Sequence, residues 1–223
     1  AARARFRAEV GLNDGDVAVG IVARVHPSKD HTNFFRAAEI AAAQDRRLVF
    51  VCAGLGTDTH ERCRTAARGI LKGRLHLLGE RPDVPRVMAG LDVLVSSSAT
   101  EGCPNAVGEA MACGLPVIGT DSGDTADVIG DAGRVIPCGD APRLAAEILA
   151  MCAMGSTACM LVGEGARERI RRNFSIESTA LRYANLYREI VGERRDSGRR
   201  VFSSSLSRAV LGGAAPTAVA LNA

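Results

Sequence analysis

Glu101 and Glu109, with seven residues between them, flank the start of an apolar helical stretch and are the carboxylates best placed to do chemistry. The text leading into them runs Ser96-Ser97-Ser98-Ala99-Thr100-Glu101-Gly102-Cys103-Pro104-Asn105-Ala106, and it continues through Glu109-Ala110-Met111-Ala112 to Gly114. Read physically, this is a strand, a loop and a helix with Pro104 in the first turn, where the missing N–H is no loss. A helix start leaves backbone amides without partners, so the segment from Cys103 to Ala106 is a ready anion site. Glu101 lies just before the helix, and Glu109 lies about one and a half turns into it. Carboxylates there would accept hydrogen bonds from the hydroxyls of a sugar or a ribose. Taken singly, each has a plainer reading, Glu101 as a helix cap and Glu109 as surface charge.

A second group of charges follows the first apolar run, in Val22-Ala23-Arg24-Val25-His26-Pro27-Ser28-Lys29-Asp30. Arg24 and Lys29 read alone are loop charges. At the carboxyl end of a strand they also suit a diphosphate, arginine as a fork and lysine as a point charge. His26 and His31 flank Lys29 and are read as loop residues. Cys103 as a nucleophile has no base beside it in the sequence.

Together, E-G-x-P-N, Glu109-Ala110-Met111-Ala112 and the following G-x-P-V-I resemble the signature of glycogen synthase-like, family-4 retaining glycosyltransferases of the GT-B fold. Val51-Cys52-Ala53-Gly54-Leu55-Gly56 is similar to that family's A-G-x-G turn, and Leu77 to Pro85 to the loop lining its nucleobase. The resemblance runs from about residue 16 to 191. It implies a donor-binding domain that moves a sugar from a nucleoside diphosphate sugar to an acceptor hydroxyl with retained configuration, without a cofactor or metal. Glu101, Arg24 and Lys29 would be the catalytic residues. The donor would also touch Gly56, Leu78, Arg81, Val84, Gly102, Cys103, Pro104, Asn105, Ala106 and Glu109, with Glu109 on the ribose and Glu101 on the sugar. The implied partners are the nucleotide sugar, a missing N-terminal acceptor domain, and a glycan or lipid-linked sugar as acceptor. Cys103, Gly123-Asp124 and Asp127 depart from the family's usual residues, which bears on the identity of the sugar.

The elements that must position these residues follow from hydrophobic periodicity. Apolar runs predict strands at 16–23, 47–54, 74–79, 92–98, 115–120 and 133–137. Helical spacing predicts helices at 31–44, 58–71, 83–91, 105–114 and 125–130, and then at 140–153, 158–170 and 175–191. Ser175 is the expected cap of the last of these. Apolar strands alternating with helices mean an α/β, Rossmann-like parallel sheet of about six strands covered on both faces, with further helices at the C-terminal end. Ligands of such sheets bind outside the carboxyl ends of the strands, where both charged groups fall. Residues 1–15 read as a linker or helix remnant, 16–193 as the nucleotide-sugar-binding domain, and 194–223 as a disordered tail, with a short helix at 201–211 the minority reading.

Composition narrows the alternatives. A net charge of +3 is too small to imply nucleic acid. The seven cysteines form no C-x-x-C pair, which points to reduced, mostly buried thiols in a cytoplasmic protein and away from zinc. Any contact with the inner membrane face would run through the absent domain. No G-x-G-x-x-G follows the first strand, which disfavours a nicotinamide-dependent oxidoreductase. Two rivals stay open: a nucleotide-sugar epimerase half, and a module that binds nucleotide without catalysis.

Overall fold

The computed structural model describes residues 1–196, with side-chain surroundings through residue 191. Strands β1 (Val17–Val22), β2 (Leu48–Ala53), β3 (Leu75–Leu77), β4 (Val93–Ser96), β5 (Val117–Thr120) and β6 (Arg134–Ile136) form one sheet. Every pairing is parallel, and the order is β3-β2-β1-β4-β5-β6. The order reverses between β1 and β4, the point at which doubly wound sheets open a crevice. The register shows that opening. β1 pairs with β2 along its whole length, Val17 to Val22 against Leu48 to Ala53, but meets β4 only at Val19–Val93 and Gly20–Leu94.

Alternation along the strands sorts side chains between two faces. Val19 and Ile21, Leu48, Phe50 and Cys52, and Val93 and Val95 join one core with helices α2 (His31–Gln44) and α7 (Ala141–Ala153). The aromatic centre is Phe34 against Phe50, edge to face at 6.0 Å between ring centroids. Helix α2 spans the predicted residues because Asp30 caps it, its carboxylate accepting from the Asn33 amide, and because Phe34, Phe35, Ala38, Ala41 and Ala42 form a buried stripe. Asp140 caps α7 in the same way, accepting from the Arg143 amide. The opposite face carries α4 (Val84–Gly90), α5 (Asn105–Ala112) and α6 (Thr125–Ile129), whose buried residues include Val87, Met88, Val107, Met111 and Ile129. Helix α3 (Glu61–Arg68) is shorter than the predicted 58–71, because His60 caps it with its ring and Gly69 ends it.

The described chain divides into two compact units, residues 1–170 and 171 onward. The first unit takes in more than the sequence suggested. Residues expected as a linker or helix remnant form α1 (Ala2–Glu9), packed on α4 with Phe6 fully buried. Arg7 is also buried, and its guanidinium reaches the carbonyls of Asn13 and Asp16 and the carboxylate of Asp92. Arg3 pairs with Asp92 at 2.6 Å. Helix α8 (Gly155–Asn173) begins in the first unit, where Arg167 donates to the carbonyls of Ala112 and Cys113, and Arg169 to those of Asp127 and Val128. The second unit contains α9 (Ile176–Asp196), capped as expected by Ser175, whose hydroxyl accepts from the Ser178 amide. The backbone of 194–196 continues α9, and the rest of the expected tail, with its alternative helix at 201–211, lies outside the described residues. Among the described residues no single helix is long and apolar enough to cross a membrane.

Candidate functional site

Where β1 and β4 part, a cavity of ≈ 140 Å³ opens between their carboxyl ends. Its walls are Ile21 to Ala23 from β1, Leu94 to Ser98 from β4, Lys29, Glu101, and the start of α5 from Cys103 to Ala106. That volume is below the ~300 Å³ of the smallest ordinary ligand sites, so it holds one part of a larger molecule that extends into the open loops.

The Lys29 ammonium donates to Glu101 Oε1 at 2.6 Å, and the Ser98 hydroxyl donates to the same oxygen at 2.7 Å. The Glu101 side chain is 9% exposed and that of Lys29 25%. In a charge pair this enclosed each partner offsets the desolvation of the other, so removing one leaves the other's charge costly. Two donors converge on Oε1, which leaves Oε2 available to accept from a ligand hydroxyl. Ser98 is itself fixed, its carbonyl accepting from the buried Thr120 hydroxyl at 2.5 Å. Gly123 supports Glu101 from below. A Cβ there would lie 2.1 Å from the Glu101 carbonyl, and φ of +53° falls in the left-handed region that favours glycine.

Helix α5 starts as expected, except that Pro104 stands at the cap rather than inside the first turn, and no side chain caps the end. The first return bonds come from the Val107 and Gly108 amides to the Pro104 carbonyl, so the Asn105 and Ala106 amides remain for an anion. Glu109 is exposed on α5 and does not line the cavity. Gly102 is exposed, with open space where a Cβ would stand. Partial burial, with the charges of Asp124 and Glu101, holds the Cys103 thiol above its ordinary pKa, the opposite of what a nucleophile needs.

Arg24 is exposed at the loop mouth and has no ion pair or hydrogen bond among the described residues. The turn at Gly54 presses on this loop. A Cβ at Gly54 would come within 2.3 Å of the Ala23 carbonyl, at φ of +139°. The Gly54 amide donates to the Gly79 carbonyl at 2.7 Å, and the Val25 amide to Leu55 at 2.8 Å. Thus Gly56 and the half-buried Leu78 sit on neighbouring loops at this end of the sheet, and the half-buried Val84 opens α4. Arg81 is different. Its guanidinium forks onto Asp83 at 2.8 and 2.9 Å and reaches Glu9 at 2.8 Å, and these partners raise its pKa and commit its donors internally.

His26 is a loop residue, its ring bonded to the Ser28 hydroxyl at 2.8 Å. His31 is buried, and burial pushes its pKa down to about 4 despite the Ala23 main chain and Asp30 nearby, so the ring is neutral at pH 7. Neither of its ring nitrogens, nor either amide atom of the buried Asn33, has a well-formed hydrogen bond. The sequence reading missed Ser98 and Thr120. The signal for Ser98 was the run of three serines leaving β4, and Thr120, at the end of β5, had none. Cys52, Cys63 and Cys152 are buried, whereas Cys103 and Cys138 are exposed. Among the described residues no group of three or more His, Cys, Asp or Glu side chains converges as a metal site.

Comparison with known proteins gives a consistent picture. A sequence model of the family described as Glycosyl transferases group 1 matches residues 16–154. The lipopolysaccharide core biosynthesis mannosyltransferase LpcC of Rhizobium leguminosarum bv. viciae is 30% identical over 185 residues, covering 79% of this chain and 52% of that protein. Among solved structures, Alr3699/HepE of Anabaena in complex with UDP superposes with a TM-score of 0.73 at 22% identity, over 84% of this chain and 52% of that one. The C-terminal domain of a glycosyl transferase group 1 protein, LpcC of Francisella tularensis, gives 0.68 at 20% identity, over 78% of this chain and 93% of that one. The chain therefore spans about half the length of the full-length relative and of the Anabaena structure, and nearly all of the isolated C-terminal domain.

Proposed function

Because this chain belongs to the glycosyl transferases group 1 family, we propose that it binds the nucleoside diphosphate sugar of a retaining sugar transferase. A second domain would carry the acceptor, as the other half of the relatives' length suggests. The observation that carries this reading is the enclosed Lys29–Glu101 pair beside the free amides of α5, at the switch point between β1 and β4. In the proposed reaction the bond between the anomeric carbon and the diphosphate oxygen breaks, and its electron pair leaves with the diphosphate. The acceptor hydroxyl forms the new bond and gives its proton to the departing diphosphate. Lys29, Arg24 and the Asn105 and Ala106 amides oppose the growing negative charge, in the manner of preorganised donors worth roughly 3–4 kcal/mol each. Glu101 holds a sugar hydroxyl through Oε2. Cations and amides in the leaving-group role make a metal unnecessary. A glycan or lipid-linked sugar is the acceptor class that the lipopolysaccharide relative supports.

Calorimetry with uridine, guanosine and adenosine diphosphates, in buffer containing a chelator, tests the reading. At least one diphosphate is expected to bind, and more tightly than its nucleoside. Silence from all of them at millimolar concentration, or binding that appears only with added magnesium, would sink it.

Glu109 is assigned to the ribose because it is exposed on α5 beyond the phosphate amides. Glu109→Ala is expected to reduce the preference for a ribonucleotide over its 2′-deoxy analogue several-fold, the scale of one ordinary hydrogen bond at an exposed position. Glu109→Gln, which keeps one acceptor, should lose less. If both variants discriminate as the parent does, Glu109 does not touch the ribose.

A further inference from the structure

The loop that carries Lys29 is held at three consecutive carbonyls by the segment after β4. The Ser28 carbonyl accepts from the Ala99 amide at 2.8 Å and from the Thr100 amide at 3.3 Å. The Ser97 hydroxyl reaches the carbonyl of Lys29 at 2.9 Å and that of Asp30 at 3.0 Å. Ser97 is fully buried, so its hydroxyl has no water to turn to. The Asp30 carbonyl also accepts from the Asn33 amide at 3.0 Å, so it is the Lys29 carbonyl that depends on Ser97. The residue it holds is under strain. Asp30 has φ of +40°, and it is the one non-glycine residue with positive φ among the described residues. An L side chain in that region costs of order 1–2 kcal/mol and persists only where its surroundings enforce it. The strain lies between the lysine that faces the cavity and the first residue of α2.

We propose that Ser97 is a positioning residue for the donor site: it clamps the strained Lys29–Asp30 turn so that the Lys29 ammonium stays in the cavity against Glu101. The inference rests on the donor-site reading for its consequence, but the clamp itself is a property of the ligand-free chain. Ser97 follows β4 by one residue and Glu101 lies four further on, so a single segment anchors both members of the charge pair. Lys29 and Glu101 thereby move as one body, and the diphosphate meets a lysine already in place.

The strain supplies the test. Ser97→Ala removes the clamp, and the turn is expected to relax toward negative φ, drawing Lys29 out of register. Asp30→Gly in that background removes the cost of positive φ, and glycine is a tolerable helix cap, so the turn should hold its shape without the hydroxyl. The expected result is a diphosphate affinity about tenfold weaker in S97A, the scale of one buried hydrogen bond. Nucleoside affinity should stay unchanged, and S97A/D30G should recover most of the loss. Because Lys29 and Lys72 are the only lysines, ¹⁵N-lysine labelling yields two ammonium signals. That of Lys29 should be protected in the parent, exchange-broadened in S97A and restored in S97A/D30G. If S97A fails to fold, Ser97→Cys, close in size and a poor donor, carries the same comparison. A sharp, unshifted Lys29 signal in S97A, or equal losses for nucleoside and diphosphate, overturns the proposal. If the parent binds no diphosphate at all, the donor reading fails, and the Lys29 signal still decides the clamp.

Discussion

Lys29→Ala is expected to weaken binding of a nucleoside diphosphate by roughly thirty- to a hundredfold, while the parent nucleoside binds within about twofold of the unaltered chain. The size comes from two effects of one sign. The substitution removes the point charge closest to the cavity. It also leaves the Glu101 carboxylate, 9% exposed and formerly 2.6 Å from its counterion, facing the phosphates with only Ser98 as donor. The second effect can be separated by a double-mutant cycle. Lys29→Ala/Glu101→Gln should bind diphosphate better than Lys29→Ala alone, because the repulsion is gone. Calorimetry on the four proteins, with diphosphate and nucleoside as ligands, gives the coupling. A nucleoside penalty equal to the diphosphate penalty would mean that Lys29 shapes the loop and does not meet the phosphates.

What could be read from the sequence, and what could not, divides along physical lines. Strands such as β2, buried at every position, announce themselves as continuous apolar runs, and α2 shows both its cap and its stripe. The charged members of the cavity were legible through the motif resemblance, with which the place of Lys29 and Glu101 at the carboxyl edge of a parallel sheet agrees. Their supporting hydroxyls were not. A serine's partner depends on which loop the fold brings beside it, and Ser97 grips carbonyls more than sixty positions away. Arg81, expected to touch the donor through the resemblance of its loop, has partners the sequence did not show. Its fork is turned onto Asp83 and onto Glu9, and Glu9 belongs to α1, a helix whose polar text gave no hint of packing. The ends of β3 and β6 also differ from their predicted runs, since short edge strands stop where a single neighbour ceases to pair with them.

Helix α1 carries the second large expected effect, which is on stability. Phe6→Ala should destabilise the chain by about 3–5 kcal/mol, the usual range for deleting a fully buried aromatic ring. The ring is 0% exposed and lies on Gly90 at the end of α4, where an added Cβ would fall 2.0 Å from Phe6 Cδ1. Losing it opens a void between α1 and α4. The neighbours hold the cavity open: Arg3 and Arg7 are fixed to Asp92, while Glu9 pairs with Arg81 and Arg86. Asp92 is also the acceptor for the Ala18 amide of β1 at 2.7 Å, so the disturbance reaches the strand that carries the donor loop. Gly90→Ala should be severe alone, and partly relieved in Phe6→Ala/Gly90→Ala, where the new methyl fills space the ring has left. Urea unfolding followed by circular dichroism measures all three variants. A Phe6→Ala change within about 0.5 kcal/mol of the parent, the scale of a surface substitution, would mean that the first helix is a dispensable appendage and not part of the domain that holds the site.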